Sequence, residues 1–120
     1  MGKNQQARVK LPSQMTKALY KEYVTRLHDF QPENDHQKLL QVHALDTCQD
    51  IKGSLFLKPD QTEYTIGFTG PEAVAFVQWW ELMPVMIGTL GQVAIAQVIA
   101  AIDQVAKRPR KLSLTTQSLI

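Results

Sequence analysis

The feature that most constrains the fold is an uncharged run of eighteen residues, from Val85 to Ile102. Trp79 and Trp80 stand just before this run, and the basic sequence KRPRK (107–111) follows it. Tryptophans at one end and positive charges at the other are typical of a transmembrane helix, and eighteen residues is the lower limit for spanning a bilayer. The run therefore predicts either a membrane anchor or the core helix of a small domain.

The polar residues in and after this run distinguish the two interpretations. At 100° per residue they share one arc of about 140° on a helix, and they are Thr89, Gln92, Gln97, Asp103, Gln104 and Lys107. The opposite arc carries large apolar residues, among them Leu90, Ile95 and Val98. A span surrounded by lipid has no reason to segregate its glutamines, whereas a core helix with one wetted face does. We therefore expect a long apolar C-terminal helix that forms the core or a subunit interface, ending before Pro109.

Two helices are expected in the first half of the chain. Ser13 suits the N-cap of a helix over 14–30, whose apolar side chains recur every three or four residues. Residues 36–53 also show helical spacing, with Gly53 as the C-terminal stop. The run LLQVHAL inside this segment could instead form a buried strand, so we favour a helix over 36–50 and leave the strand open as the alternative.

A β-hairpin and a short helix are expected next. SLFL (54–57) and EYTIGF (63–68) have strand character, and Lys58-Pro59-Asp60 between them has turn chemistry. Gly70-Pro71 then opens an apolar helix over 71–83. The predicted fold is thus a mainly helical α+β domain with helices around one β-hairpin. Its expected boundaries are a flexible basic arm over 1–12, one globular domain over 13–108, and a basic, extended tail over 109–120.

Charge is distributed unevenly along the chain. Residues 1–28 carry six bases and one acid, residues 29–103 carry three bases and ten acids, and residues 104–120 carry four bases and no acid. Glu22 and Arg26 have the i, i+4 spacing of a weak ion pair on a helix surface. Basic ends around an acidic middle predict a polyanion partner, an acidic partner or end-to-middle self-association. A fold whose surface charges happen to cluster explains the pattern equally well.

The sequence contains no recognisable catalytic or metal-binding arrangement. His36, His43 and Cys48 are too widely spaced for a compact zinc site. Cys48 lies between Asp46 and Asp50, which would raise its pKa, so we interpret it as a small buried side chain. The glycines match no phosphate-binding loop. We therefore predict no enzymatic activity, no catalytic residues, no cofactor and no metal, and the single cysteine fits a reducing cytoplasm.

The favoured hypothesis is a non-enzymatic small subunit of an oligomer or larger assembly that contacts DNA or RNA backbone without reading its sequence. The candidate binding residues are the bases of the two ends: Arg8, Lys10, Lys17, Lys21, Arg26, Lys107, Arg108, Arg110 and Lys111. The alternative is a protein-only structural module, such as a virion component, whose basic arms dock on acidic neighbours. Trp79 and Trp80 are candidate residues of a partner interface. A small enzyme using Asp46 or Asp50 is the third and least supported hypothesis.

Overall fold

The computed structural model describes residues 7–82 and 88–118, with side chains as far as Val105. The elements in chain order are β1 (Ala7–Pro12), α1 (Ser13–Asp29), α2 (Asp35–Leu57), β2 (Glu63–Phe68), α3 (Gly70–Glu81) and α4 (Thr89–Ser118). The described part of the chain is mainly helical, with one two-stranded antiparallel sheet. This confirms the predicted α+β class.

Strand β1 replaces half of the flexible arm that the composition predicts for residues 1–12, so that prediction is wrong for residues 7–12. Ala7 and Leu11 are buried and Val9 is half-buried, while the two bases between them are exposed. This alternation of buried and exposed residues has the two-residue period of a half-buried strand. The high content of basic residues hides this alternation, which has only three apolar positions.

Helix α1 begins directly at the end of β1. Its N-cap is Pro12, and no side chain caps the helix, so the predicted N-cap at Ser13 is wrong by one position. The backbone N–H of Ser13 donates to the carbonyl of Thr62 at 2.9 Å. Thr62, just before β2, thus supplies the hydrogen-bond acceptor for the first residue of α1.

Helix α2 confirms the helical interpretation of residues 36–50. Asn34 caps it, since its side chain accepts a hydrogen bond from the backbone N–H of Gln37 at 2.8 Å. The helix continues through Gly53 to Leu57, so the predicted stop at Gly53 and the first hairpin strand over 54–57 are both wrong. The three consecutive apolar residues 55–57 have no periodicity that separates strand from helix, and here they extend the preceding helix.

Strand β2 lies where the alternation in EYTIGF predicts it, but its partner is β1 rather than an adjacent hairpin strand. Ala7 stands opposite Phe68 in this antiparallel pairing, and Lys10 stands opposite Thr65. Directly paired residues point to the same side of a sheet. The inner side is formed by the buried residues Ala7, Leu11, Tyr64, Ile66 and Phe68. Arg8 and Lys10 therefore lie on the outer side.

Helix α3 follows its local sequence signals closely. The Thr69 hydroxyl accepts from the backbone N–H of Glu72 at 3.4 Å, and the Glu72 carboxylate accepts from the backbone N–H of Thr69 at 2.8 Å. These reciprocal bonds are a capping box, and Pro71 occupies the first turn, where its missing N–H costs nothing. The predicted helix start at Gly70-Pro71 is confirmed.

Helix α4 packs against α1 and β1. Its described apolar stripe, which includes Ala94, Ile95, Val98 and Ile102, is buried, whereas Leu90 is exposed despite its place on the predicted apolar arc. In the parts of the chain that the structure describes, no helix is long and apolar enough to cross a membrane.

Residues 109–118, predicted as an extended tail, fall within the helical range of α4. This range includes Pro109, which was expected to end the helix because a proline removes one intrahelical hydrogen bond. The break predicted at Pro84 lies outside the described residues.

Candidate functional site

Four of the predicted nucleic-acid-binding residues are exposed on two consecutive elements. Arg8 and Lys10 stand on the outer side of β1, and Lys17 and Lys21 stand one turn apart on the solvent side of α1. None of the four makes an ion pair with a described residue. Their positive charges are therefore available to an external anion.

Arg26 does not join this set. Its guanidinium lies 3.9 Å from the Glu22 carboxylate, and the two side chains are only 14% and 18% exposed. The predicted pair is confirmed, but it lies at the packed side of α1 instead of the surface. The other Glu22 carboxylate oxygen accepts from the backbone N–H of Gly88 at 3.1 Å, at the start of α4. This carboxylate stabilises the positive end of the α4 dipole, and Arg26 partly neutralises it.

Gly91 makes this contact between the helices possible. A Cβ atom at Gly91 would lie 2.8 Å from the Glu22 side chain, which is closer than real Cβ contacts come. Gly91 is buried in the structure. The surroundings of Glu22 and Arg26 are therefore a packed seam between α1 and α4, and Arg26 is not a surface base.

The C-terminal basic residues belong to helix α4. Lys107, Arg108, Arg110 and Lys111 fall within its helical range, and their side chains are outside the described part of the structure. Their predicted role in binding stays a prediction.

Trp79 and Trp80 lie in the interior, which corrects the predicted partner interface. They are 1% and 7% exposed. The ring of Trp79 packs on Phe30 with centroids 4.8 Å apart, and the ring of Trp80 packs on Tyr23 at 5.0 Å. Adjacent helix positions point about 100° apart, so burying both requires cover on two sides of α3. Helix α2, Tyr23 of α1 and residue Phe30 supply that cover.

The interior also contains two titratable groups. Burial raises the pKa of the Tyr23 phenol far above its ordinary value, and contacts with Trp80 and Thr47 oppose the shift only in part. Burial also raises the pKa of the Cys48 thiol, with Lys52 opposing the shift. Desolvation, rather than the neighbouring aspartates, is therefore the cause for Cys48. The interpretation of Cys48 as a buried small side chain is confirmed.

The remaining candidate groups for chemistry are dispersed. Asp46, Asp50 and His36 are exposed and His43 is half-buried. Among the residues that the structure describes, no three His, Cys, Asp or Glu side chains come close enough to hold a metal ion.

A polar cleft along β2 is the feature that sequence reasoning missed. It has a volume of about 260 Å³ and adjoins a second cleft of about 480 Å³. Both clefts are bounded by Asp50 and Ser54 of α2 on one wall and by Tyr64 and Thr65 of β2 on the other. Thr47 continues the α2 wall at helical spacing. No signal in the sequence marks these residues, because α2 and β2 meet only in the folded chain.

Helix α2 also carries exposed apolar side chains on the side away from the interior. They are Leu39, Val42, Leu45, Phe56 and Leu57. Phe56 and Leu57 are 80% and 78% exposed, which is unusual for residues of this size. Three of the five, Leu39, Val42 and Leu45, stand three residues apart and form a short stripe.

Comparison with protein-family models, curated proteins and solved structures finds no significant match to this chain.

Proposed function

We propose that this chain is a non-enzymatic subunit of a larger assembly that contacts nucleic-acid backbone electrostatically. The observation that carries the proposal is the set of four exposed bases on β1 and α1 that no described acid neutralises. Phosphate contacts of this kind require exposed Lys and Arg side chains and no base-reading element.

The spacing of these bases suits repeated phosphates. Arg8 and Lys10 are two residues apart on one side of a strand, a separation of about 7 Å. Lys17 and Lys21 are one helical turn apart, about 6 Å along the axis. Each pair can therefore reach two different phosphates, while the long side chains adjust to an irregular backbone.

Helix α4 extends the proposal to the C-terminal cluster. In this proposal α4 is the long apolar core helix, and its end presents Lys107, Arg108, Arg110 and Lys111 as a second contact. Because α4 packs against β1, its orientation is linked to the strand that carries Arg8 and Lys10.

The test is a salt titration of binding to single- and double-stranded DNA and RNA. The variant Lys17→Gln/Lys21→Gln is compared with the matched control Lys38→Gln/Lys52→Gln, which removes two exposed helical charges from α2 instead. We expect the slope of log affinity against log salt to fall by about 0.7 to 0.9 for each lost phosphate contact in the first variant. The control should keep the wild-type slope.

Two results would count against the proposal. One is the absence of measurable binding at low salt. The other is an equal effect of both double variants, which would mean that only net charge matters and that β1 and α1 form no defined surface.

The alternative, a protein-only assembly module, is favoured by a different observation, the exposed stripe of Leu39, Val42 and Leu45 on α2. Exposed apolar patches on helices commonly mark protein contacts. In this candidate function the stripe packs against another subunit.

A charge placed in the stripe tests this alternative. Val42→Glu is matched by Val74→Glu on α3, because the two valines are 54% and 55% exposed. If the stripe drives assembly, the mass in solution falls to that of a monomer for Val42→Glu and stays unchanged for Val74→Glu. A wild-type protein that is monomeric at high concentration would remove the alternative.

A further inference from the structure

The clefts beside β2 lie at a strand edge and not over a sheet face. Four consecutive residues of the strand line the smaller cleft: Tyr64, Thr65, Ile66 and Gly67. Side chains of a strand alternate between faces, so a cleft over one face would contact every second residue. Contact with every residue in turn favours an edge, and from there the cleft extends inward to the buried Thr16 of α1 and Ile51 of α2.

The backbone groups at this edge have no described partner. β2 is hydrogen-bonded to β1 on one side only. Within residues 7–82 and 88–118, no backbone hydrogen bond reaches its other side. In an antiparallel pair, alternate residues direct both N–H and C=O away from the partner strand. The six residues of β2 therefore offer an alternating row of donors and acceptors, about 20 Å long, to the cleft.

The opposite wall belongs to α2, which packs on α1 and α3 and leaves the cleft between itself and β2. Its polar residues Thr47, Asp50 and Ser54 are spaced three and four apart and so share one helical face. A wall of hydroxyl and carboxylate groups is unlike the mostly apolar lining of small-molecule sites. It suits a ligand that brings its own polar backbone.

Acids dominate the charges of the two clefts. Asp50 lines both, Glu72 lines the smaller and Glu63 lines the larger, against one base, Lys58. Asp50 and Glu63 are exposed, so they can pair with a ligand side chain. A positively charged occupant complements this rim and an acidic one does not.

We propose that the edge of β2 and the facing side of α2 form a docking groove for an extended, basic peptide segment of a partner protein. The segment adds a third strand to the sheet, and its arginine or lysine side chains pair with the exposed Asp50 and Glu63. Main-chain hydrogen bonds supply affinity in this mode, and the rim charges select the ligand. The groove runs along the edge of β2 that faces away from β1, whereas Arg8 and Lys10 lie on β1, opposite Gly67 and Thr65.

The probe is a fluorescein-labelled peptide of about eight alternating valine and arginine residues, long enough to cover β2. Binding is followed by fluorescence anisotropy, and protection of the β2 backbone amides is followed by hydrogen exchange. Two further peptides serve as controls. One has its alternate backbone amides N-methylated, and the other carries glutamate in place of arginine. We expect binding and protection of Glu63–Phe68 amides with the first peptide only.

A pair of protein variants locates the contact. Asp50 and Asp46 are both exposed on α2, but only Asp50 lines the clefts. We expect Asp50→Lys to weaken peptide binding by about tenfold and Asp46→Lys by less than about twofold.

Four results would overturn the proposal. Equal weakening by both variants, or equal binding of the N-methylated peptide, would mean charge attraction without strand addition. No binding of the arginine peptide by either readout would mean that the edge accepts no strand of this chemistry. A concentration-dependent dimer that Asp50→Lys dissociates would assign the edge to a second copy of the chain.

Discussion

The inner face and the outer edge of β2 lie in opposite surroundings. On the inner side, Phe68 packs on Phe76 with ring centroids 5.1 Å apart. Phe76 in turn packs on Trp80, with ring centroids 6.3 Å apart. At its unpaired edge, the same strand borders a cleft lined by hydroxyl and carboxylate groups. One six-residue strand thus separates a dry aromatic interior from a polar groove.

The difference indicates where stability and recognition reside. Large buried aromatic side chains dominate the free energy of folding, because they remove the most apolar area from water. Exposed polar groups contribute little to folding but retain unsatisfied bonding capacity for a ligand. We therefore expect substitutions in the interior to change stability and substitutions at the cleft to leave it nearly unchanged.

The largest effect is expected for Trp79→Ala in the interior. Removing a fully buried indole leaves a cavity and should lower the free energy of unfolding by about 3–5 kcal/mol. Trp79→Phe keeps a ring in place and removes an indole N–H that has no hydrogen-bond partner among the described residues, so its cost should be smaller. Urea unfolding measures both. The control is Val74→Ala on the exposed side of the same helix. It should lower the free energy of unfolding by about 0.5 kcal/mol or less.

If Val74→Ala cost as much as Trp79→Ala, the contrast between interior and surface on α3 would be wrong. Trp79→Phe keeps the test valid even if Trp79→Ala does not fold.

The next effect concerns the seam between α1 and α4. Gly91→Ala places a methyl group 2.8 Å from the Glu22 side chain, which must move away. That movement weakens the bond from Gly88 and the pair with Arg26, so we expect a loss of about 1–3 kcal/mol. Thermal or urea unfolding measures the loss. Glu22→Ala combined with Gly91→Ala should be less than additive, because the clash is then absent. Full additivity would place the cause elsewhere.

The buried phenol of Tyr23 predicts a pH effect. Its pKa is raised in the folded protein, whereas the unfolded chain releases this proton near pH 10. Its contribution is constant well below pH 10, and above that pH the loss of stability steepens towards a limit of about 1.4 kcal/mol for each pH unit, which gives a loss of about 1 kcal/mol between pH 10 and 11. Urea unfolding between about pH 10 and 11 measures this slope. Tyr23→Phe should be less steep by that amount, and an unchanged slope would show that Tyr23 does not cause it.

The elements that could be predicted from the sequence are those whose signals are local. Alternation in EYTIGF predicts β2, and Gly70-Pro71 with Glu72 predicts the start of α3, since both depend on neighbouring residues. Strand β1 was not predicted, because its pairing partner lies beyond two helices. Its alternation becomes meaningful only when Phe68 covers Ala7.

The candidate sites divide in the same way. Exposed bases on β1 and α1 could be recognised from charge alone, but the burial of Arg26 depends on α4, which follows much later in the chain. Trp79 and Trp80 were predicted to form a partner interface because no local signal in the sequence shows that two sides of α3 are covered. The cleft could not be predicted, since its walls come from α2 and β2, and neither wall has a distinctive composition.

The smallest effect, and the only one of opposite sign, is expected at the cleft. Gly53 is helical in α2 and lines the larger cleft, and a Cβ atom there would meet nothing within 4 Å. Alanine has the higher helix propensity, so Gly53→Ala should raise the free energy of unfolding by about 0.5–1 kcal/mol. Urea unfolding of Gly53→Ala and Gly91→Ala, measured side by side, compares the gain expected at the first glycine with the loss expected at the second. A loss at both glycines would mean that the C-terminal half of α2 is packed as tightly as the seam. A gain at Gly53 alone would mean that helix propensity, more than packing, holds the α2 wall of the groove in place.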